Sequence, residues 1–142
     1  MIGNARQASA SRKTLADLLR AAEAQSPGAA AYLELAAEVR AELAEYDAIL
    51  DGSVSTFEVP EIDDLGEALV KARLARGWTQ RRLAEALGVS EQMVQKDEAR
   101  AYENAGLARL AEVADVLGYG LSGSFRPVAD SPLSSVPQRA VA

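Results

Sequence analysis

Thr79-Gln80-Arg81-Arg82-Leu83-Ala84-Glu85-Ala86-Leu87-Gly88-Val89-Ser90-Glu91-Gln92-Met93-Val94-Gln95-Lys96-Asp97-Glu98 carries the punctuation of two short helices joined by a tight turn. Thr79 and Ser90 are each suited to accept a backbone N–H bond as an N-cap, and Gly88 stands where the first helix must stop and reverse. Leu83, Ala84 and Leu87 line one face of the first helix, Met93 and Val94 form an apolar patch on the second, and Val89 plugs the corner. Small Ala84 permits close approach of the two helices. Gln80, Arg81, Glu91, Gln92, Gln95 and Lys96 are left without apolar partners, so they should face outward.

The flanking sequence extends this unit. Asp63 or Asp64 starts a preceding helix whose inner face is Leu65, Leu69 and Ala72, widened by Ala68 and Ala75. Glu67 there either completes a capping box or favours the helix dipole. Gly77 ends that helix, and Trp78 is a boundary plug rather than a base-stacking platform. After the motif, Arg100 to Ala105 reads as a loop, and Leu107, Leu110, Ala111, Ala114 and Leu117 form the face of a final helix stopped by Gly118.

Thr79, Gln80, Ala84, Gly88, Val94 and Glu98, taken at their offsets, resemble the Xre/Cro-like helix-turn-helix transcription regulators over about Leu65 to Leu117. The resemblance implies a structural ion pair between Arg73 and Glu98, and a second helix that enters the major groove while the first lies across the backbone. Ser90, Glu91, Gln92, Gln95 and Lys96 become the expected base readers. Gln92 is the best of them, because its amide can pair with both exposed adenine groups, whereas Glu91 could accept from cytosine and Lys96 donate to guanine. Thr79, Gln80, Arg81 and Arg82 are the expected phosphate contacts. Arg100, Tyr102 and Asn104 either join them or serve loop packing and capping. One position departs from the pattern, since Asp97 stands where the family usually has an apolar or aromatic residue. Either Asp97 reaches solvent or a basic partner, or the motif is partly degenerate.

Charge appears at first to oppose a DNA partner, because the chain carries a net −6 and phosphate contacts draw on Lys and Arg. Its distribution removes the conflict: residues 1–63 hold 5 basic and 11 acidic side chains, while residues 64–142 hold 10 of each. Between Lys71 and Arg82 lie five cations, Lys71, Arg73, Arg76, Arg81 and Arg82, and no acid. A local positive face of this kind suits backbone docking whatever the total charge.

Upstream, Ser11 to Ala24 has Leu15, Leu18, Leu19 and Ala22 at helical spacing and is stopped by Ser26-Pro27-Gly28. In the longer helix that follows, Tyr32, Ala36, Val39, Leu43, Tyr46 and Leu50 recur at alternating steps of four and three, with Glu34, Glu38, Glu42 and Glu45 beside them. This stripe either folds back on the first helix within one subunit or serves a dimer. Asp51-Gly52-Ser53 ends it, and Val54 to Pro60 reads as extended. Downstream, Leu121, Gly123 and Phe125 alternate with polar residues, which predicts one short strand, paired with Val54 to Val59 or with a symmetry mate. From Pro127 onward the Ser- and Pro-rich composition predicts a disordered tail.

The expected fold class is therefore mainly α: an N-terminal helical hairpin or coiled coil (residues 1–52), a linker (53–63), a compact helix-turn-helix bundle (64–119), and a short strand with a tail (120–142). With 142 residues, 49% of them apolar, the chain can bury one modest core or two small ones. The absence of Cys and His excludes zinc fingers, thiol chemistry and serine triads together. No carboxylate pair stands near a nucleophile, phosphate loop or cofactor motif, so an enzyme, a metal and a cofactor are not expected. No apolar run reaches membrane-span length and the N-terminus lacks the apolar core of a secretory signal, so the expected location is cytoplasmic and without a membrane partner. The expected function is sequence-specific binding of double-stranded DNA as a transcriptional regulator, a repressor, acting as a homodimer. The dimer candidates are Tyr32, Val39, Leu43, Tyr46, Leu50, Leu121 and Phe125. The alternative is an antitoxin that holds a toxin protein through its acidic first half and autoregulates its operon.

Overall fold

Asn4 starts the first helix. Its backbone is extended (φ −161°) and its side chain accepts from the Gln7 N–H at 2.9 Å, the geometry of an N-cap. The computed structural model describes residues 1–24 and 27–128. Among them it forms α1 (Ala5–Glu23), α2 (Ala29–Leu50), α3 (Leu65–Ala75), α4 (Gln80–Leu87), α5 (Glu91–Ala99) and α6 (Leu107–Leu117), with a single 3-10 turn at Ile62–Asp64. The mainly α class read from the periodicity is the observed one. The first helix nevertheless begins six residues before Ser11, because the Asn4 cap and the Ala-rich run behind it extend it.

The α2 stripe closes on α1 within the same chain. Ala36, Leu43 and Tyr46 are buried, Val39 and Tyr32 are half-buried, and Arg12 of α1 reaches Asp47 of α2 at 2.7 Å. Leu43 and Tyr46 thus lie inside the hairpin core and cannot offer a dimer surface while it is closed. The seam also ends differently from the strict step pattern, since Ile49 is 2% exposed whereas Leu50 is 50% exposed. Ile49 packs in the cluster that holds Leu74 of α3, so the last turn of α2 buries the face that meets α3 and leaves Leu50 outside.

Two apolar clusters share α3. Leu69, Val70 and Ala72 belong to a core with Leu83, Ala84, Val94, Tyr102, Val113 and Leu117. Leu74 belongs instead to a core with Ile2, Ala8, Leu43, Tyr46 and Ile49, and Phe57 packs against both. Each fully buried Leu, Ile or Val in these clusters is worth about 1.5–3 kcal/mol of transfer free energy. The α1–α2 hairpin is therefore fastened to the helix-turn-helix bundle by apolar contact.

Local chemistry sets the remaining boundaries. Glu61 and Asp64 cap each other reciprocally before α3, while Glu67, one candidate for that box, pairs with Lys71 at 2.9 Å. Gly66 lies so close to the loop between α5 and α6 that a Cβ there would stand 1.7 Å from the Ala101 carbonyl oxygen. That loop holds Ala101 and Tyr102 at φ of 46° and 59°, left-handed values that few non-glycine residues adopt. In α6 the inner face is Leu110, Val113, Ala114 and Leu117. Leu107 is 72% exposed and Ala111 is exposed, because the steps of three and four that fit α3 and α4 run through Val113.

The expected strand is not formed. Residues 121–128 have no ladder partner, and Leu121 and Phe125 are solvent-exposed. Val54 to Val59 meets the bundle through side chains instead: the Phe57 and Tyr119 rings stack at 6.1 Å and the Tyr119 hydroxyl donates to the Ser55 carbonyl at 3.0 Å. The Ser26 stop and the tail from residue 129 lie outside the described residues. No helix among the described residues is long and apolar enough to cross a membrane.

Candidate nucleic-acid interface

The turn between α4 and α5 follows from three residues. Thr79 Oγ1 accepts from the Arg82 N–H at 3.1 Å and Ser90 Oγ from the Met93 N–H at 3.2 Å. Between them Gly88 takes φ 68°, a left-handed value that carries no Cβ penalty for glycine. Leu83, Ala84 and Val94 are buried, which fixes how α5 is rolled. Ser90, Gln92, Gln95 and Lys96 are exposed on its outer side and Glu91 is half-buried. Gln95 Nε2 donates to Glu91 Oε1 at 3.2 Å.

Met93 corrects the sequence reading. It is 48% exposed and lies among the outward residues, while Val94 alone supplies the apolar anchor. The helical period held the signal, since burying Val94 and Glu98, four residues apart, turns position 93 aside.

Beneath this surface is a buried polar centre. Arg73 Nε donates to Glu98 Oε1 at 2.6 Å and Nη2 to Glu98 Oε2 at 2.8 Å, with both side chains almost fully enclosed. Nη1 donates to the Trp78 carbonyl and Nη2 also to the Gly3 carbonyl, each at 2.7 Å. Gln80 Nε2 donates to Glu98 Oε2 at 2.7 Å. The amide of Gln80 is thus partly committed inside and half-buried, in contrast to the free outward side chain expected from sequence. A buried bidentate pair with further partners meets the condition under which such charges are tolerated.

Asp97 also has a partner. Arg109 of α6 lies 3.6 Å from its carboxylate, and the two side chains are 19% and 25% exposed. Of the two alternatives for this position, the carboxylate reaches a basic side chain.

The five cations between Lys71 and Arg82 do not form one face. Arg73 is internal. Lys71 is held by Glu45 at 2.6 Å and Glu67 at 2.9 Å; burial presses its pKa down, but hydrogen bonds and charge from the two glutamates outweigh this and raise it above 10.5. Arg76 donates from Nε to the Leu117 carbonyl at 2.6 Å, closing the end of α6. Arg81 and Arg82 remain outward. Arg81 makes an exposed contact with Glu85 at 3.2 Å, and the Arg82 guanidinium lies 4.7 Å from the centre of the Trp78 ring. Lys96 and Arg100 are exposed on the same part of the chain, as are Thr79 and Asn104.

Tyr102 is displaced from the list of phosphate contacts. It is 4% exposed, its hydroxyl is buried without a hydrogen-bond partner, and burial first, then the charges of Glu98 and Asp97, pushes the phenol pKa well above its usual range. Its left-handed backbone turns the ring into the core, an outcome with no signature in the sequence.

An open groove of about 920 Å³ runs between the first turn of α1 and the exposed side of α5. Asn4 and Arg6, Glu91 and Gln95, and the buried pair Arg73 and Glu98 are among its lining residues. Among the described residues no group of Asp and Glu could hold a metal ion.

Two helices joined by a glycine turn, packed on a third and presenting a polar second helix, define a helix-turn-helix unit. Residues 69–123, less than half of the chain, match the family model described as Helix-turn-helix. A helix-turn-helix domain of the Xre/Cro-like type is therefore present there. No curated protein and no solved structure matches the chain. The domain supports a DNA-binding regulatory role.

Proposed function

We propose that the chain is a sequence-specific transcriptional regulator, a repressor, that reads the major groove of double-stranded DNA with α5. The observation that carries this reading is the roll of α5: Val94 and Glu98 are buried while Gln92, Met93 and Lys96 stand outward. Gln92 reads adenine, Lys96 donates to guanine, and Met93 adds an apolar contact for a thymine methyl. Ser90, Glu91 and Gln95 complete the reading edge, with Glu91 and Gln95 constrained by their mutual hydrogen bond. Thr79, Arg81, Arg82, Arg100 and Asn104 meet phosphates, and Gln80 assists through the amide atoms that Glu98 leaves free. In this division residues 64–119 read DNA and residues 1–52 brace them.

Binding to a two-fold operator as a homodimer follows from the modest contact area of one such unit. Leu50, Leu121 and Phe125 are the exposed members of the candidate interface. Selection of bound sites from random duplex DNA tests the proposal. A palindromic consensus with half-sites about one helical turn apart is the expected result, and recovery of no preferred sequence at low salt would refute it.

A second reading, an antitoxin in the cytoplasm, is favoured by the outer surface of α2. There Leu33 is 53% and Leu35 is 48% exposed beside the exposed carboxylates Glu34 and Glu38. A small basic toxin would suit this mixed apolar and acidic surface. Co-purification with the product of a neighbouring gene would support it, and growth inhibition by that product, relieved by this chain, would establish it.

A further inference from the structure

We infer that the peptide at Ile2–Gly3 is a positioning element of the DNA-reading unit, holding α4 and α5 at their working angle through Arg73. The inference rests on the proposed reading by α5 for its functional consequence, but its structural part stands alone.

Four contacts form one chain of hydrogen bonds. The Gly3 carbonyl accepts from Arg73 Nη2, Arg73 grips Glu98 of α5 bidentately, and Glu98 Oε2 accepts from Gln80 of α4. Both Nη2 protons are then used, one on Glu98 and one on Gly3. Arg73 is 2% exposed, so water from the adjoining groove reaches that proton only once the Gly3 carbonyl has withdrawn, and a mobile water would not hold the guanidinium as the fixed peptide does. A charged donor left unpaired in the interior is costly. The cheapest relief is for the guanidinium to turn towards solvent, loosening its grip on the carboxylate that ties α5 to α4.

The segment is built to hold that carbonyl in place. Ile2 is 4% exposed within the hairpin core. The Gly3 N–H donates to Gln7 Oε1 at 2.8 Å. A Cβ at Gly3 would already be 3.3 Å from Val70 Cγ1, so the peptide lies directly on α3. The contact spans 70 residues of sequence, and it makes the α1–α2 hairpin part of the reading apparatus. Any partner that shifts α1 would act on DNA affinity through this carbonyl.

The test uses Gln7, whose side chain is outside the proposed DNA contacts and whose residue is exposed. Gln7→Met removes the acceptor that fixes the Gly3 peptide, and Gln7→Glu restores one. Amide hydrogen exchange on the full chain without DNA is expected to accelerate about tenfold in α4 and α5 for Gln7→Met and to return to the parent rate for Gln7→Glu. Ile2→Val should move the same amides by a smaller factor. On the selected duplex, affinity falls about tenfold for Gln7→Met and discrimination against single-base variants shrinks. A merely stabilising role would lower the melting temperature and leave affinity and discrimination unchanged in the folded range. Exchange changes confined to residues 1–10, or α4 and α5 at the parent rate in both Gln7→Met and Ile2→Val, would overturn the inference. If the parent chain selects no duplex, the DNA reading fails on its own, and the exchange result still decides the role of Gly3.

Discussion

Gly66→Ala sets two effects of opposite sign against each other. Position 66 lies within α3, where replacing glycine by alanine stabilises a helix by up to ~1 kcal/mol. Against this, the new Cβ would be 1.7 Å from the Ala101 carbonyl oxygen and 2.5 Å from its carbon. Ordinary contact requires a separation of roughly 3.2 Å or more, so helix and loop must part by well over 1 Å in a densely packed region. The loop cannot yield freely. The Ala101 and Tyr102 N–H groups bond to the Glu98 and Asp97 carbonyls at 3.0 and 2.8 Å, and the Tyr102 ring is core. Overpacking of this kind costs about 1–3 kcal/mol, and weakening the two turn hydrogen bonds adds about 0.5–1.5 kcal/mol each. Steric cost wins, by roughly 2–3 kcal/mol. For a chain of this length that corresponds to a fall in melting temperature of roughly 5–12 °C, measured by calorimetry or circular dichroism. A rise of a few degrees would mean that helix propensity governs the site and would refute the close approach.

Glu98→Ala should cost about 3–5 kcal/mol, because it strands a buried guanidinium; in a denaturant titration the double variant Arg73→Met/Glu98→Leu should be more stable than Glu98→Ala, and if it is not, the pair is not the source of the loss. Gln92→Ala should weaken binding to the selected duplex by about 1–3 kcal/mol and relax choice at one base position, whereas equal loss on every sequence would move Gln92 to the backbone. Arg82→Ala should lower affinity on all duplexes and flatten the salt dependence by about one ion. It should also change the emission of Trp78, the chain's single tryptophan, because the guanidinium stacks on that ring; an unchanged salt slope would remove Arg82 from the contact list. Tyr102 and Lys71 both have folded pKa values raised above their unfolded ones, so each contributes stability that is present below about pH 10 and is lost as pH rises further. Absorbance at 295 nm should therefore show at least one of the four tyrosines ionising only together with alkaline unfolding, and ionisation of all four in the folded chain would contradict the burial of Tyr102.

How much of the candidate site was legible depended on whether a residue's role is local. Thr79, Gly88 and Ser90 act on backbone groups within three or four residues, so their effect could be read in order along the chain. The cations could not be read that way. A run of basic residues on one helix states their spacing, but Lys71 meets Glu45 of α2, Arg76 meets the end of α6, and Arg73 meets Gly3 and Glu98. Each of these partners is at least 25 residues away in sequence. A supposed positive face thus resolves into two outward arginines, one buried arginine and two partly accessible cations engaged by other helices. Gln80 and Tyr102 moved for the same reason, the first drawn in by a carboxylate of α5 and the second turned in by a left-handed loop resting on Gly66. Met93 moved the other way, released to the surface once Val94 and Glu98 took the interior.

By itself the sequence determined that these segments are helical, the stops at Gly77, Gly88 and Gly118, and the turn before α5, because capping, glycine conformation and apolar period are short-range properties of the chain. Tertiary structure alone decided that the α2 stripe closes on α1, that Asp97 meets Arg109, and that a carbonyl near residue 3 completes the Arg73 centre. Those outcomes depend on how separate helices pack against one another and which polar groups that packing brings together, and no single element's sequence sets either.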